Sequence, residues 1–173
     1  FGNLLNRSLS MSKRYREGER SAPTSGDLAT TWATTFAAYS EKLEACLLHE
    51  ALEALWGFVG AANKFVEAEQ PWTLAKAAKN GDEEADTRLT GVLGDLLEAC
   101  RVIAFAAAPF RPDAAARAAT QLGVAYDYAA DGNGGPQLRE LLTWGALAPG
   151  GSFGAAEPLF PRLEIDDAEE AGA

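Results

Sequence analysis

The 173-residue sequence is 47% hydrophobic and carries a formal net charge of −10. That length and apolar content fit one domain with a real core, and without a run of about 18 apolar residues no membrane-spanning helix is expected. The negative balance argues against casual nucleic-acid binding. No secretory leader is visible, and the start at Phe1 inside a helical pattern reads as an excised piece of something longer.

The charge is uneven along the chain. Residues 1–20 hold Arg7, Lys13, Arg14, Arg16 and Arg20 against Glu17 and Glu19, a net +3, whereas residues 157–173 sum to −5. A polyanion is therefore expected to approach the first helix. At 100° per residue from Asn3, the side chains of Leu4, Leu5, Leu9, Met11 and Tyr15 fall between about 80° and 240°. Asn3, Arg7, Ser10 and Arg14 fall between about −20° and 40°, with Asn3 and Arg7 neighbours four residues apart. This polar strip reads in two ways. It is the solvated face of an amphipathic helix, or it reads bases, because an amide offers donor and acceptor together and arginine offers a planar fork.

A second helix opens at SGDLATTW (25–32), with Ser25 or Asp27 as cap and Trp32, Phe36, Tyr39 and Leu43 at helical spacing. A third carries the stripe Leu48, Leu52, Leu55, Val59, Ala62 and Val66, and breaks at Pro71, with Trp72 directly behind. Trp72 at that break is either a core plug or an open aromatic face. Leu89, Leu93, Leu96, Cys100 and Ile103 mark a further helix. A shorter one opens at Pro112–Asp113 and stops at Gly123, and QLRELLTW (137–144) makes one more short helix. No alternating strand pattern occurs. The expected fold is all-α, a bundle of four to five main helices over residues 1–164, followed by an acidic tail at 165–173 without fixed structure.

Catalytic chemistry is hard to find. Cys46 and Cys100 sit among apolar residues and read as small buried thiols. His49 is the only histidine and reads as a cap or surface residue, so neither a metal site nor a nucleophile–base pair is expected. GNGG (132–135) follows no strand and is not expected to cradle phosphate.

GNLLNR (2–7) closely resembles the opening helix of the anticodon-binding domain of class I aminoacyl-tRNA synthetases. Four further pieces resemble the methionyl-tRNA synthetase family in order and spacing. They are SMSKRY (10–15), NKFVEAEQPWTLAK (63–76), LLEACRVIAFAAAPFRPDAAARAATQLG (96–123) and LFPRLE (159–164). Met-Ser-Lys within SMSKRY superficially matches that family's KMSKS loop. It lies in a helix, has Ser10 where the motif has its first lysine, and comes after GNLLNR rather than before it.

The resemblance implies an anticodon-binding helical domain that reads CAU in methionine tRNA. It assigns base contacts to Asn3 and Arg7, stacking on an anticodon base to Trp72 and a neighbouring contact to Pro71. Arg14, on the same strip, is placed with them. It also implies a parent enzyme that joins methionine to its tRNA using ATP, with the catalytic domain in the same chain and LFPRLE returning towards it. This piece alone is expected to hold no cofactor and to be inactive. The implied location is the cytoplasm, with no membrane or DNA partner. The competing expectation is a helical protein-interaction module, or a diverged paralogue that no longer binds tRNA.

Overall fold

The computed structural model describes residues 1–126, 138–155 and 157–160. The predicted acidic tail, the end of LFPRLE and the GNGG loop lie outside the described residues. Among those residues the chain forms seven helices and no strand. They are α1 (Gly2–Tyr15), α2 (Asp27–Glu44), α3 (Leu48–Glu69), α4 (Pro71–Lys79), α5 (Glu83–Ala107), α6 (Pro112–Leu122) and α7 (Leu138–Leu141). None of these is long and apolar enough to cross a membrane.

Helix α5 is the axis of the bundle and packs against each of the other six. It starts at a side-chain cap, where Asp82 Oδ1 accepts the Ala85 N–H at 2.9 Å and three acids fill the positive first turn. From Val92 to Ala106 every residue is buried. A helix enclosed on all sides must satisfy its polar groups internally. Glu98 and Arg101 do so as a pair, with Nη2 2.7 Å from Oε1. The Glu98 carboxylate also accepts the N–H groups of Gly145, Ala146 and Leu147, and Arg101 donates to the carbonyls of Leu141 and Thr143. This one pair ties the 141–147 segment to the core.

Close approach is the other requirement. A Cβ at Gly94 would overlap the carbonyl of Ala22, so the chain before α2 crosses α5 where there is no side chain. Next to it, Asp95 accepts from the backbone N–H and hydroxyl of Thr24, at 2.5 and 2.7 Å. Burial pushes its carboxyl above the usual range, opposed by those two hydrogen bonds.

The stripes predicted from spacing are largely where expected. Leu89 through Ile103 are buried, as are Trp32 and Tyr39 of α2 and Leu55 through Val66 of α3. Four local expectations are corrected. Cys100 is buried, its thiol pushed up to about 12 by desolvation, but Cys46 is exposed. Helix α2 ends at Glu44, and Cys46 occupies the left-handed turn to α3 with φ +57°, outside any helical stripe. Leu48 begins α3 at that turn and is 54% exposed. Neither Ser25 nor Asp27 caps α2: the N-cap is Gly26, without a side-chain bond. Finally, α7 stops at Leu141, after which Trp144 donates its indole N–H to the carbonyl of Thr24 at 2.8 Å.

Candidate nucleic-acid interface

The corner at Pro71 is built by elimination. Proline has no N–H to continue α3, and its ring disfavours a right-handed residue before it. Gln70 accordingly ends α3 in the left-handed region, at φ +46° and ψ +60°, and also starts α4, with Pro71 in the first turn. A non-glycine residue in that conformation costs about 1–2 kcal/mol. Pro71 itself is buried. The neighbouring contact expected of it is therefore not available at the surface; its part is to fix the corner. Trp72 comes next and is 43% exposed, which excludes the core-plug reading.

Helix α4 lies beside α1. A groove between them is lined by Arg14, Tyr15 and Arg16 of α1, Ala75, Ala78 and Lys79 of α4, and Asp86 and Leu89 of α5. Residues 72, 75, 76 and 79 share one face of a helix by the 3–4 spacing. Ala75 and Lys79 line the groove; Trp72 follows the same spacing but is not among the lining residues. Arg7 Nη2 meets Glu67 Oε1 at 2.8 Å, about one turn before the corner. Arg7 is thus tied to the last turn of α3, and Arg14 shares a groove with α4, the helix that begins at Pro71 and Trp72.

Along the strip, Asn3 and Arg14 are exposed. The Asn3 amide has no hydrogen-bond partner among the described residues, and Arg14 has no ion pair among them; its guanidinium rests 5.7 Å from the Tyr15 ring. Asn3 borders a cavity of about 390 Å³ whose other walls are Gly2, Asn6 and residues 157–160. Within that wall Leu159 is buried and its carbonyl accepts from Arg117, while Phe160 is 51% exposed under the Arg111 guanidinium. Leu159 and Phe160, the first two residues of LFPRLE, therefore pack on the bundle.

Sequence reasoning did not single out Glu67, Asn6, Lys76 or Lys79. The signal for the lysines was available, since both follow Trp72 at helical spacing. No group of three or more His, Cys, Asp or Glu side chains able to hold a metal occurs among the described residues.

Residues 16–172 match the family described as the anticodon binding domain of methionyl tRNA ligase. The chain belongs to this family. Similar proteins extend the match across the α1 strip. The methionine–tRNA ligase of Fusobacterium nucleatum is 31% identical over 98% of this chain and 26% of its own length. That of Thermotoga maritima is 31% identical over 96% and 25%. Among solved structures, the apo methionyl-tRNA synthetase of Mycobacterium tuberculosis aligns with a TM-score of 0.78 at 27% identity, over 94% of this chain and 32% of that one. The same enzyme bound to methionyl-adenylate aligns at 0.76 and 29% identity, over 92% and 30%. The chain thus spans about a quarter of the length of the curated relatives it matches. As an anticodon-binding family member it is all-α, as its solved neighbours lead one to expect.

Proposed function

We propose that this chain binds methionine tRNA by its CAU anticodon, within a longer methionine–tRNA ligase. In that reading the catalytic domain belongs to the same chain, uses ATP and methionine, and works in the cytoplasm. Residues 1–164 form the recognition unit, which alone is inactive and needs no cofactor. The observation that carries the reading is the half-open indole of Trp72 at the start of α4, a helix that shares a groove with Arg14 and follows the α3 turn to which Arg7 is paired.

The physical roles follow from the side chains. An unpaired loop base stacks on the Trp72 face, worth about 1–3 kcal/mol. The unpartnered Asn3 amide pairs with a base edge, as donor and acceptor at once. Arg7 is held by an exposed carboxylate, and a surface pair of this kind is worth about 0–1 kcal/mol, so its fork is easily released to RNA. The left-handed Gln70 and the buried Pro71 hold the indole at its angle before RNA arrives, which reduces the ordering cost of binding.

The test is a fluorescence titration of the chain with two anticodon stem-loops, CAU and a changed anticodon, at fixed low salt. The CAU loop is expected to bind more tightly, and Trp72→Ala to remove about 1–3 kcal/mol of that binding with the helical circular dichroism unchanged. Equal binding of the two loops would overturn the assignment.

A further inference from the structure

The groove between α1 and α4 includes Arg14 but not Asn3, Arg7 or Trp72, and its chemistry is different. Its lining contains three cations, Arg14, Arg16 and Lys79, and one anion, Asp86, in a chain of net charge −10. Arg16 is fully committed. It donates to Thr90 Oγ1, to the carbonyls of Tyr15 and Asp86, and to Asp86 Oδ1 at 2.9 Å. Those bonds fix the floor and neutralise its one carboxylate. Arg14 and Lys79 are left exposed on opposite walls, with no ion pair to either among the described residues. No side-chain amide lines the groove, and its one aromatic, Tyr15, has the Arg14 guanidinium 5.7 Å from its ring centre. Two cations without ion pairs among the described residues, lining one cavity of about 300 Å³, suit a phosphodiester.

We infer that Arg14 and Lys79 form a backbone-phosphate clamp for the RNA strand whose base stacks on Trp72. This rests on the anticodon reading above and changes the role of Arg14, from reading bases to holding the backbone. The spacing is suitable. Seven residues separate Trp72 from Lys79, about 10 Å along the helix at about 1.5 Å per residue. The clamp therefore grips the strand away from the stacked base. The clamp sets the register of the strand and carries no sequence information, as phosphate contacts in general do.

The experiment measures binding of the CAU loop and the changed loop between about 50 and 200 mM salt, for the unaltered chain, Arg14→Gln, Lys79→Gln, the double variant and Lys13→Gln. Each phosphate contact in a single strand contributes about 0.7 to the slope of log K against log salt. Each groove variant is expected to lower that slope by about 0.7 and the double by about 1.4, equally for both loops, so that their affinity ratio is unchanged. Lys13→Gln alters net charge equally next door, but Lys13 Nζ points to the Gly154 carbonyl at 3.3 Å, and its slope is expected to stay. A Lys13 effect as large as that of Arg14 would overturn the clamp in favour of diffuse charge. A changed ratio between loops would overturn it in favour of base reading. Saturable binding of inorganic phosphate, lost in the double variant while the RNA slope stays, would assign the groove to free phosphate and overturn it too. If the two loops bind equally but the slope falls as stated, the clamp stands and the anticodon assignment fails.

Discussion

Replacing Arg101 by methionine is expected to destabilise the fold severely without touching the surface proposed to meet RNA. The side chains of Arg101 and Glu98 are 4% and 0% exposed. The guanidinium makes four hydrogen bonds, two to Glu98 at 2.7 and 2.8 Å and one each to the carbonyls of Leu141 and Thr143. Methionine fills similar volume but leaves a buried carboxylate without its cation and two carbonyls without donors. Breaking a buried pair in this way costs about 3–5 kcal/mol, against a total stability of about 5–15 kcal/mol for a domain. With a urea m-value of about 2 kcal/mol/M, the midpoint falls by about 2 M. Urea unfolding followed by helical circular dichroism measures it. Adding Glu98→Leu is not expected to restore stability, because the N–H groups of Gly145, Ala146 and Leu147 then lose their acceptor. A loss below about 1 kcal/mol in Arg101→Met, or full rescue by the second change, would refute the reasoning that this pair holds segment 141–147.

Other outcomes follow from the same geometry. Glu67→Gln frees Arg7 and removes a carboxylate from the RNA face; stem-loop binding tightens by up to about fivefold, the equivalent of about 1 kcal/mol, read by titration. A thiol reagent at pH 8 labels one cysteine per native chain, Cys46, and two in denaturant, because Cys100 is buried with its thiol raised to about 12. Burial raises the native carboxyl of Asp95 above its unfolded value near about 3.9, so the folded state binds this proton more readily. Its contribution is therefore fully present at low pH and lost as pH rises through the folded value. Urea midpoints at pH 4 and 6 should fall more on raising pH for the unaltered chain than for Asp95→Asn. Gly57→Ala, with open space around its Cβ, gains about 0.5–1 kcal/mol of stability, whereas Gly94→Ala loses about 1–3 kcal/mol against the Ala22 backbone; thermal melts compare the two.

The legible part of the fold was whatever repeats at helical spacing. Leu89 to Ile103 and Leu55 to Val66 are buried because a 3–4 stripe leaves a helix no other way to hide its apolar side. Spacing failed at the ends of helices, where backbone turns decide. Cys46 and Leu48 continue an apolar pattern in the letters, but a left-handed turn separates them from it. Within α1, Ser8 and Ser12 are buried. Their angles, about 140° and 180° from Asn3, lie in the middle of the apolar sector, so position outweighs polarity there. Ser8 remains satisfied through its bond to the Leu4 carbonyl. Glu98 and Arg101 are visible as charges in an apolar run, but their loop partners lie forty or more residues away. Nothing local in the sequence predicts them.

Of the candidate site, Trp72 was legible because proline fixes a corner; the electrostatics were not, because counting charges does not say which are in use. The net +3 over residues 1–20 includes Arg20, whose guanidinium binds the carbonyls of Gly150, Leu122 and Gly123. It includes Arg16, spent on α5, and Lys13, turned to Gly154. Of the five, Arg14 is the one exposed without an ion pair or carbonyl partner among the described residues; Arg7 is held by an exposed carboxylate, and Lys79 adds a cation from a helix the count did not cover. Screening over about 8–10 Å at ordinary salt confines what a phosphate feels to such near neighbours. A net charge of −10 therefore sets weak non-specific binding for the chain as a whole. It leaves one face where the local sign is positive, so affinity there should depend on a few named side chains rather than on composition.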